Sequence, residues 1–261
     1  MQILRRSAKT AAKFVRQSLM VTAGAISLLP GCQTEAPGGG GVEVSATAPA
    51  IASTNGLRAR NGLPALVPLK ASGLSTIPKS SSILNTSEGL VQLAYAARCA
   101  LPANRSLTLS DANGIKHTFT GGIGFAPEWE TSSCGQTCQE WVSACLLAMV
   151  NTAGVHVPIW LDAEHSAVGF GQSPSYPHQE GAFFGNVFLS SPSANFCAGR
   201  DFLVSPVTGR IGSEQDAPPY SDPYGTGGKC AGNCTPSDYP NAQDGFKACS
   251  GWNRVVTVWR Q

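Results

Sequence analysis

Several motifs that identify common enzyme classes are missing from this chain of 261 residues. It contains no HExxH zinc motif, no P-loop, no GxGxxG dinucleotide motif and no G-x-S-x-G nucleophile elbow. Histidine is also scarce, since only four are present. The sequence therefore nominates no serine nucleophile and no cofactor. Any catalytic role has to be sought among the cysteines, histidines and carboxylates.

Charged residues are scarce as well, at 13% of the chain, and they are unevenly distributed. The first 31 residues hold five of the 18 basic residues and none of the 16 acidic ones. The remainder therefore carries 13 basic and 16 acidic residues, a formal charge of −3. Because no run of Lys or Arg remains to follow a phosphate backbone, we expect no nucleic-acid partner.

The first 31 residues have the composition of an export signal. Basic residues precede the mainly apolar stretch SLMVTAGAISLL, which is too short to span a bilayer. The following LPGC resembles the lipobox of bacterial lipoproteins, and this implies cleavage before Cys32, its acylation and a membrane anchor through the lipid. Gln33, in place of the aspartate that retains enteric lipoproteins in the inner membrane, implies the outer membrane. The alternative is an ordinary secretory leader.

Composition divides the rest of the chain at about residue 85. Residues 32–84 are rich in Gly, Ala, Ser and Pro, so they predict a flexible tether. Within them a degenerate six-residue repeat places Leu57, Leu63 and Leu69 at equal spacing. Residues 85–261 have the composition of one globular domain with a real core.

The patterns within 85–261 predict an α+β fold with two main helices, short antiparallel strands and a long irregular C-terminal part. Asn85, three residues before Glu88, is the expected cap of the first helix. Thr137, three before Glu140, is the expected cap of a second helix over 138–152. Asn-Gly at 113–114 predicts a hairpin. The segments VHVPIWL, with a proline typical of edge strands, and RVVTVW predict further strands.

Eight cysteines follow Cys32, and an even number in an exported chain predicts four disulfides. They are Cys99, Cys134, Cys138, Cys145, Cys197, Cys230, Cys234 and Cys249. Eight cysteines allow 105 pairings, but geometry removes some of them. Cys138 and Cys145, seven residues apart on one helix, would lie roughly 10 Å apart, whereas a disulfide tolerates about 7 Å between α-carbons.

Each of these two helical cysteines is therefore expected to bridge a different element, Cys145 reaching Cys99 on the first helix. Cys230, Cys234 and Cys249 are expected to hold the loop-rich tail, where few apolar side chains are present. Zinc bound by Cys230-x3-Cys234 is the alternative interpretation. An oxidising compartment favours disulfides over zinc, so no metal is predicted.

A thiol enzyme is the main catalytic alternative. A cysteine in the first turn of a helix has its thiolate stabilised by free backbone N–H groups. CGQTCQEW resembles the CGSCW of papain-like proteases, and EHSAVGFG resembles the histidine strand of that family. This implies Cys138 as nucleophile with His165. One catalytic thiol would, however, leave an odd number of cysteines to pair.

Carboxylates and aromatics suggest two other roles. Glu180 with Glu128 or Glu164 is a candidate carboxylate pair for glycan hydrolysis. Aromatics in segments of low charge suit stacking against sugars or peptides, unless they fill the core. They are Trp129, Trp160, Tyr176, Tyr220, Tyr224, Tyr239, Trp252 and Trp259.

One resemblance covers nearly the whole domain. The segments AARCALP, PEWE, CQEWVSACLLA, QEGAFFGN and WNRVVTVW resemble uncharacterised exported proteins and lipoproteins of myxobacteria. The resemblance implies an envelope location and a shared disulfide core, but no activity. We therefore expect a lipid-anchored module of the cell envelope that binds glycan or peptide. The alternative is a surface hydrolase that uses Cys138 and His165, or a carboxylate such as Glu180.

Overall fold

The computed structural model describes residues 63–151, 157–171, 173–202, 229–238 and 245–261, all within one compact unit. Their helices are α1 (Leu63–Leu66), α2 (Ser87–Ala100) and α3 (Gln136–Ala148). Their strands are β1 (Ser106–Ser110), β2 (Lys116–Thr120), β3 (Ile159–Asp162), β4 (His178–Asn186), β5 (Ser193–Ala198), β6 (Cys234–Pro236), β7 (Phe246–Cys249) and β8 (Val255–Arg260). The predicted disulfide-rich α+β class is confirmed.

Four of the strands form the central sheet, in the order β3-β8-β4-β5 with every pair antiparallel. Strand β3, which follows Pro158, is an edge strand as predicted. The RVVTVW segment forms β8 between β3 and β4. Its central position explains why every residue of β8 is buried.

Alternation along the strands gives the sheet two different faces. One face packs against α3 and joins the main core through Ile159, Leu161, Phe183, Phe196, Val256 and Val258. The opposite face forms a smaller core with the cysteine-bearing hairpin β6–β7 through Ala182, Phe184, Cys197 and Val255. The sheet therefore separates the helices from the cysteine-bearing hairpin.

Both helices begin at residues other than those predicted. The cap of α2 is Thr86, whose hydroxyl accepts a hydrogen bond from the Gly89 N–H at 3.1 Å. Asn85 instead joins neighbouring loops, because its Nδ2 donates to the Lys79 carbonyl at 2.8 Å and its Oδ1 accepts from the Ala112 N–H at 3.0 Å. Helix α3 begins at Gln136, with Gly135 rather than Thr137 as its cap.

The predicted hairpin is present as β1 and β2, which pair from Ser106↔Thr120 to Ser110↔Lys116. Gly114 has φ of +80°, the conformation for which the Asn-Gly pair is suited. Asp111 closes the turn, since its Oδ1 accepts from the Asn113 and Ile115 N–H groups, each at 2.9 Å.

The boundary predicted at residue 84 is wrong. Residues 66–84 belong to the main core, which contains Leu66, Leu69, Leu74, Ile77, Ile83 and Leu84. The Lys70 Nζ donates to the Phe188 carbonyl at 2.6 Å, and the Lys70 carbonyl accepts from the Cys134 N–H at 2.9 Å. Leu69, the last leucine of the six-residue repeat, is buried in a short helical turn at Val67–Ala71. Leu57 and the side chain of Leu63 lie outside the described residues.

Candidate functional site

Asp162 and His165, two groups whose pKa values are shifted by burial, lie in or beside the loop that follows β3. It begins after Asp162 and folds back on itself, with the Ala163 N–H donating to the Gly169 carbonyl at 3.1 Å. The Gly169 N–H in turn donates to the His165 carbonyl at 2.7 Å. Asp162 therefore immediately precedes this hydrogen-bonded turn, and His165 lies within it, three residues later in the chain.

Asp162 is a buried carboxylic acid at the end of β3. Its Oδ1 accepts a hydrogen bond from the Trp160 Nε1 at 2.9 Å and a longer one from the Gly171 N–H at 3.4 Å. Burial raises its pKa to about 7, although these two donors act in the opposite direction. The indole of Trp259 also favours the ionised form, although its Nε1 does not meet hydrogen-bond geometry.

His165 packs edge-on against two stacked rings. The rings of Phe125 and Trp141 lie parallel with centroids 5.3 Å apart, and the imidazole lies 5.0 Å from each. Its Nδ1 accepts from the Ala167 N–H at 3.0 Å. Burial, followed by the charge of Arg254, lowers its pKa below the usual value, while Glu128 acts to raise it. Neutral imidazole is therefore the favoured form near pH 7.

Arg254 completes this group of side chains. Its guanidinium carbon lies 5.8 Å from the centroid of the Trp141 ring, within cation–π range. We call the group formed by Glu128, Trp141, His165 and Arg254 the Arg254 surface. It joins four separate segments: the turn before α3, α3 itself, the loop after β3 and the start of β8. Sequence patterns did not indicate Trp141 or Arg254, because the four segments are distant in the chain.

The eight cysteines of the domain form four disulfides in the structure. Cys99 pairs with Cys145, as predicted from the helix faces. Cys197 pairs with Cys230, and Cys234 with Cys249. Cys138 does not reach a distant element, as had been expected, but pairs with Cys134 in the turn just before α3. The extended backbone of Gly135 brings these two α-carbons within 5.2 Å.

The structure places the candidate residues of both predicted hydrolases, Cys138 and His165 for the thiol enzyme and Glu180 for the carboxylate enzyme. Cys138 has its sulfur in a disulfide, so it presents no thiolate. His165 directs its Nδ1 to its own loop. Glu180 lies buried in β4, between the two residues at which the register with β8 shifts. Cys32 lies outside the described residues.

The aromatic side chains that the sequence suggested for stacking against a ligand differ in how deeply they are buried. Trp129 is 0% exposed and donates from Nε1 to the Leu69 and Ser72 carbonyls, so it fills the core. Trp259 and Tyr176 are buried as well. Trp160 and Trp252 are half-buried. Tyr220, Tyr224 and Tyr239 lie outside the described residues.

Comparisons with protein-family models, with curated proteins and with solved structures find no match for this chain. Among the described residues, no helix combines the length and the apolar character needed to cross a membrane.

Proposed function

We propose that this protein is a lipid-anchored module of the cell envelope, a binding or structural domain of an exported lipoprotein, and that its ligand is a glycan or peptide. The export signal and the lipobox-like LPGC support the location. Acylated Cys32 would be its contact with the membrane, and outer-membrane sorting follows from Gln33.

The observation that carries the proposal is the complete pairing of the eight domain cysteines. Disulfides persist in oxidising compartments, which suits an exported domain. The same pairing leaves no thiol nucleophile at Cys138, so it favours a binding module over a papain-like peptidase.

The Arg254 surface is the site that we assign to ligand binding. A guanidinium suits bidentate contact with a carboxylate, and Glu128 is an exposed acceptor for hydroxyl or ammonium groups. Half-buried His165 adds a ring nitrogen to the same region. These groups suit an envelope glycan or peptide that carries carboxylates, and peptidoglycan has both components.

Sedimentation with purified peptidoglycan tests the binding site. The parent chain should co-sediment, and Arg254→Gln should weaken this binding about tenfold or more, as expected for the loss of one charge-assisted contact. Lys116→Gln removes an equal charge from the exposed strand β2 and should bind as the parent does. Failure of the parent to sediment, or equal losses in both variants, would contradict this assignment.

Labelling with radioactive palmitate tests the anchor separately. The parent should incorporate label and fractionate with membranes, whereas Cys32→Ser should do neither and should remain folded. Membrane attachment that persists in Cys32→Ser would refute the lipoprotein assignment while leaving the binding site untouched.

A carboxyl-dependent hydrolase is the second candidate, and the raised pKa of Asp162 favours it. A carboxylic acid with a pKa of about 7 is protonated in part at neutral pH and suits general-acid catalysis. Glu180, the carboxylate that the sequence indicated, is buried in β4. Release of soluble fragments from peptidoglycan by the parent, but not by Asp162→Asn, would support this activity.

A further inference from the structure

Two disulfides meet in the smaller core beneath the second face of the sheet. The sulfur of Cys197 lies 3.5 Å from that of Cys234, although each is bonded to a different partner. The sulfurs of Cys197, Cys230 and Cys234 all lie within 4.8 Å of one another. The sulfur of Cys249 is bonded to Cys234. These two disulfides therefore form one buried group of four cysteines, which we call the four-cysteine cluster.

The separation between the two disulfides, from the Cys197 sulfur to the Cys234 sulfur, is close to that of neighbouring sulfurs in a tetrahedral metal site. Zinc binds thiolates at about 2.3 Å, which places neighbouring sulfurs about 3.8 Å apart around the ion. Cys197 and Cys234 are already near this separation, at 3.5 Å. Once the two disulfide bonds are broken, the sulfurs within each former pair have to move apart. The sulfur of Cys249, which does not lie within 4.8 Å of all three others, also has to turn toward them.

The backbone turn that carries Cys230 and Cys234 also has features typical of a metal site. Three residues separate Cys230 from Cys234, which is within the usual spacing of paired zinc ligands. The N–H groups of Asn233 and Cys234 both donate to the Cys230 carbonyl, at 3.0 and 2.8 Å. Gly232 has φ of +86°, which allows this tight turn. Two ligands would therefore come from one turn.

The other two ligands would come from strands. Cys249 lies directly opposite Cys234 in the β6–β7 pair, with the α-carbons 4.3 Å apart. Cys197 lies in β5, whose Ala198 carbonyl accepts from the Cys230 N–H at 2.9 Å. Strand pairing and this hydrogen bond would keep all four sulfurs together after the disulfides open.

We propose that the four-cysteine cluster is a redox-gated binding site for one thiophilic divalent cation, represented by Zn²⁺. In the oxidised chain its sulfurs are paired and do not bind the ion. A reductant such as a phosphine or a dithiol supplies two electrons to each disulfide, and two protons convert each pair of sulfurs into thiols. Binding of Zn²⁺ then releases four protons and forms a tetrathiolate complex with a net charge of −2.

Contact between the two disulfides couples their reduction. Cys234 is 8% exposed, whereas Cys197 and Cys230 are fully buried, so the Cys234–Cys249 bond is the less buried of the two. After its reduction, the Cys234 thiolate can attack Cys197, forming a Cys234–Cys197 bond and releasing the Cys230 thiolate. Reduction of the new Cys234–Cys197 disulfide then leaves all four cysteines as thiols.

Cobalt binding to the full chain carrying Cys32→Ser tests the site, since this change removes the one cysteine outside the domain. Under anaerobic conditions, the phosphine-reduced chain should bind about one Co²⁺, with thiolate-to-cobalt charge transfer and the intense visible bands of tetrahedral cobalt. Zn²⁺ should displace it. The oxidised chain should show neither band.

Single substitutions in the cluster, compared with double substitutions at the other two disulfides, distinguish this site from the other cysteines. Cys197→Ser and Cys249→Ser should each weaken Zn²⁺ binding about tenfold or more, because each removes one thiolate. The double variants Cys99→Ser/Cys145→Ser and Cys134→Ser/Cys138→Ser should keep the parent's cobalt spectrum and stoichiometry.

Three results would overturn the proposal. The first is the absence of tetrahedral cobalt bands in the reduced parent. The second is an equal loss of binding in the two control double variants. The third is unchanged affinity in urea strong enough to unfold the reduced chain, because binding would then not depend on the folded cluster.

Discussion

Cys99 of α2 is bonded to Cys145 of α3, with their α-carbons 5.9 Å apart and both side chains fully buried. The bond joins the two main helices across 46 residues of chain. Cys134 and Cys138, by contrast, are only four residues apart. The two disulfides therefore constrain the unfolded chain to very different extents.

Removal of these two disulfides should destabilise the domain unequally. In the chain-entropy model, Cys99→Ser/Cys145→Ser should lower the free energy of unfolding by about 4 kcal/mol, and Cys134→Ser/Cys138→Ser by about 2 kcal/mol. Urea unfolding without reductant, followed by circular dichroism, measures both. An equal or larger loss in the Cys134/Cys138 variant would show that the short disulfide, rather than the bond between helices, holds the domain together.

A thiol count provides a second prediction. All eight domain cysteines are paired, so a Cys32→Ser chain that is denatured without reduction should give no reaction with Ellman's reagent. The same sample after reduction should give about eight thiols, which serves as its control. A free thiol at Cys138 before reduction would restore the thiol-enzyme hypothesis.

The features that could be predicted from sequence are those with a local or periodic signal. The hairpin could be predicted from Asn-Gly because its turn needs positive φ, which Gly114 adopts. The disulfide between Cys99 and Cys145 could be predicted because both cysteines lie on apolar faces of their helices. The Cys134–Cys138 pair was missed because the helix was expected to begin two residues late. The Arg254 surface could not be predicted, since only the tertiary fold brings Arg254 to Trp141.

The packed segment before α2 shows a different limit of sequence analysis. Its buried apolar residues lie in short helical turns at irregular spacing, so they show no sequence period. The Ser, Pro and Gly residues between them give the segment the composition of a linker. The turn that contains Leu74 contacts β1 and the turn Pro127–Glu130, both distant in the chain, whereas the turn that contains Ile83 contacts α2. Composition alone therefore placed the domain boundary about 20 residues too late.

Truncation tests this revised boundary. A chain that begins at Asn85 lacks the six buried apolar residues of 66–84 and should fail to unfold cooperatively, because each contributes roughly 1.5–3 kcal/mol of burial. A chain that begins at Leu63 retains them and should give a cooperative thermal transition. Equal melting temperatures for the two chains would restore the boundary at residue 84.

Two glycines that differ mainly in backbone conformation provide a matched pair of substitutions. An added Cβ would meet no atom within 4 Å at either Gly114 or Gly171, but only Gly114 has positive φ. Gly114→Ala should therefore lower the free energy of unfolding by about 1–2 kcal/mol, and Gly171→Ala should change it by less than about 1 kcal/mol. Thermal or urea unfolding distinguishes them, and similar losses would argue against the turn geometry at Gly114.

The pH dependence of stability should reveal the buried Asp162. Its pKa rises from 3.8 to about 7 on folding, so the folded state binds its proton more tightly than the unfolded state. The stability that this group contributes is complete below pH 4 and is lost as the pH rises through about 7. His165 acts in the opposite sense, since its lowered pKa removes stability as the pH falls below about 6.5.

Comparison of Asp162→Asn with the parent isolates the carboxyl, because the contribution of His165 is common to both chains. Asparagine cannot ionise, and its carbonyl can still accept from the Trp160 indole. Between pH 5 and pH 8 the parent should lose on the order of 2–3 kcal/mol relative to Asp162→Asn. Urea unfolding at pH 5, 6, 7 and 8 measures this difference, with Asp201→Asn as the control. Although burial acts to raise it, the pKa of Asp201 is lowered by hydrogen bonds from the Gln179 N–H and from Arg200, so this control should show no such relative loss in the parent. A constant difference between parent and Asp162→Asn across the range would show that Asp162 titrates normally in the folded protein.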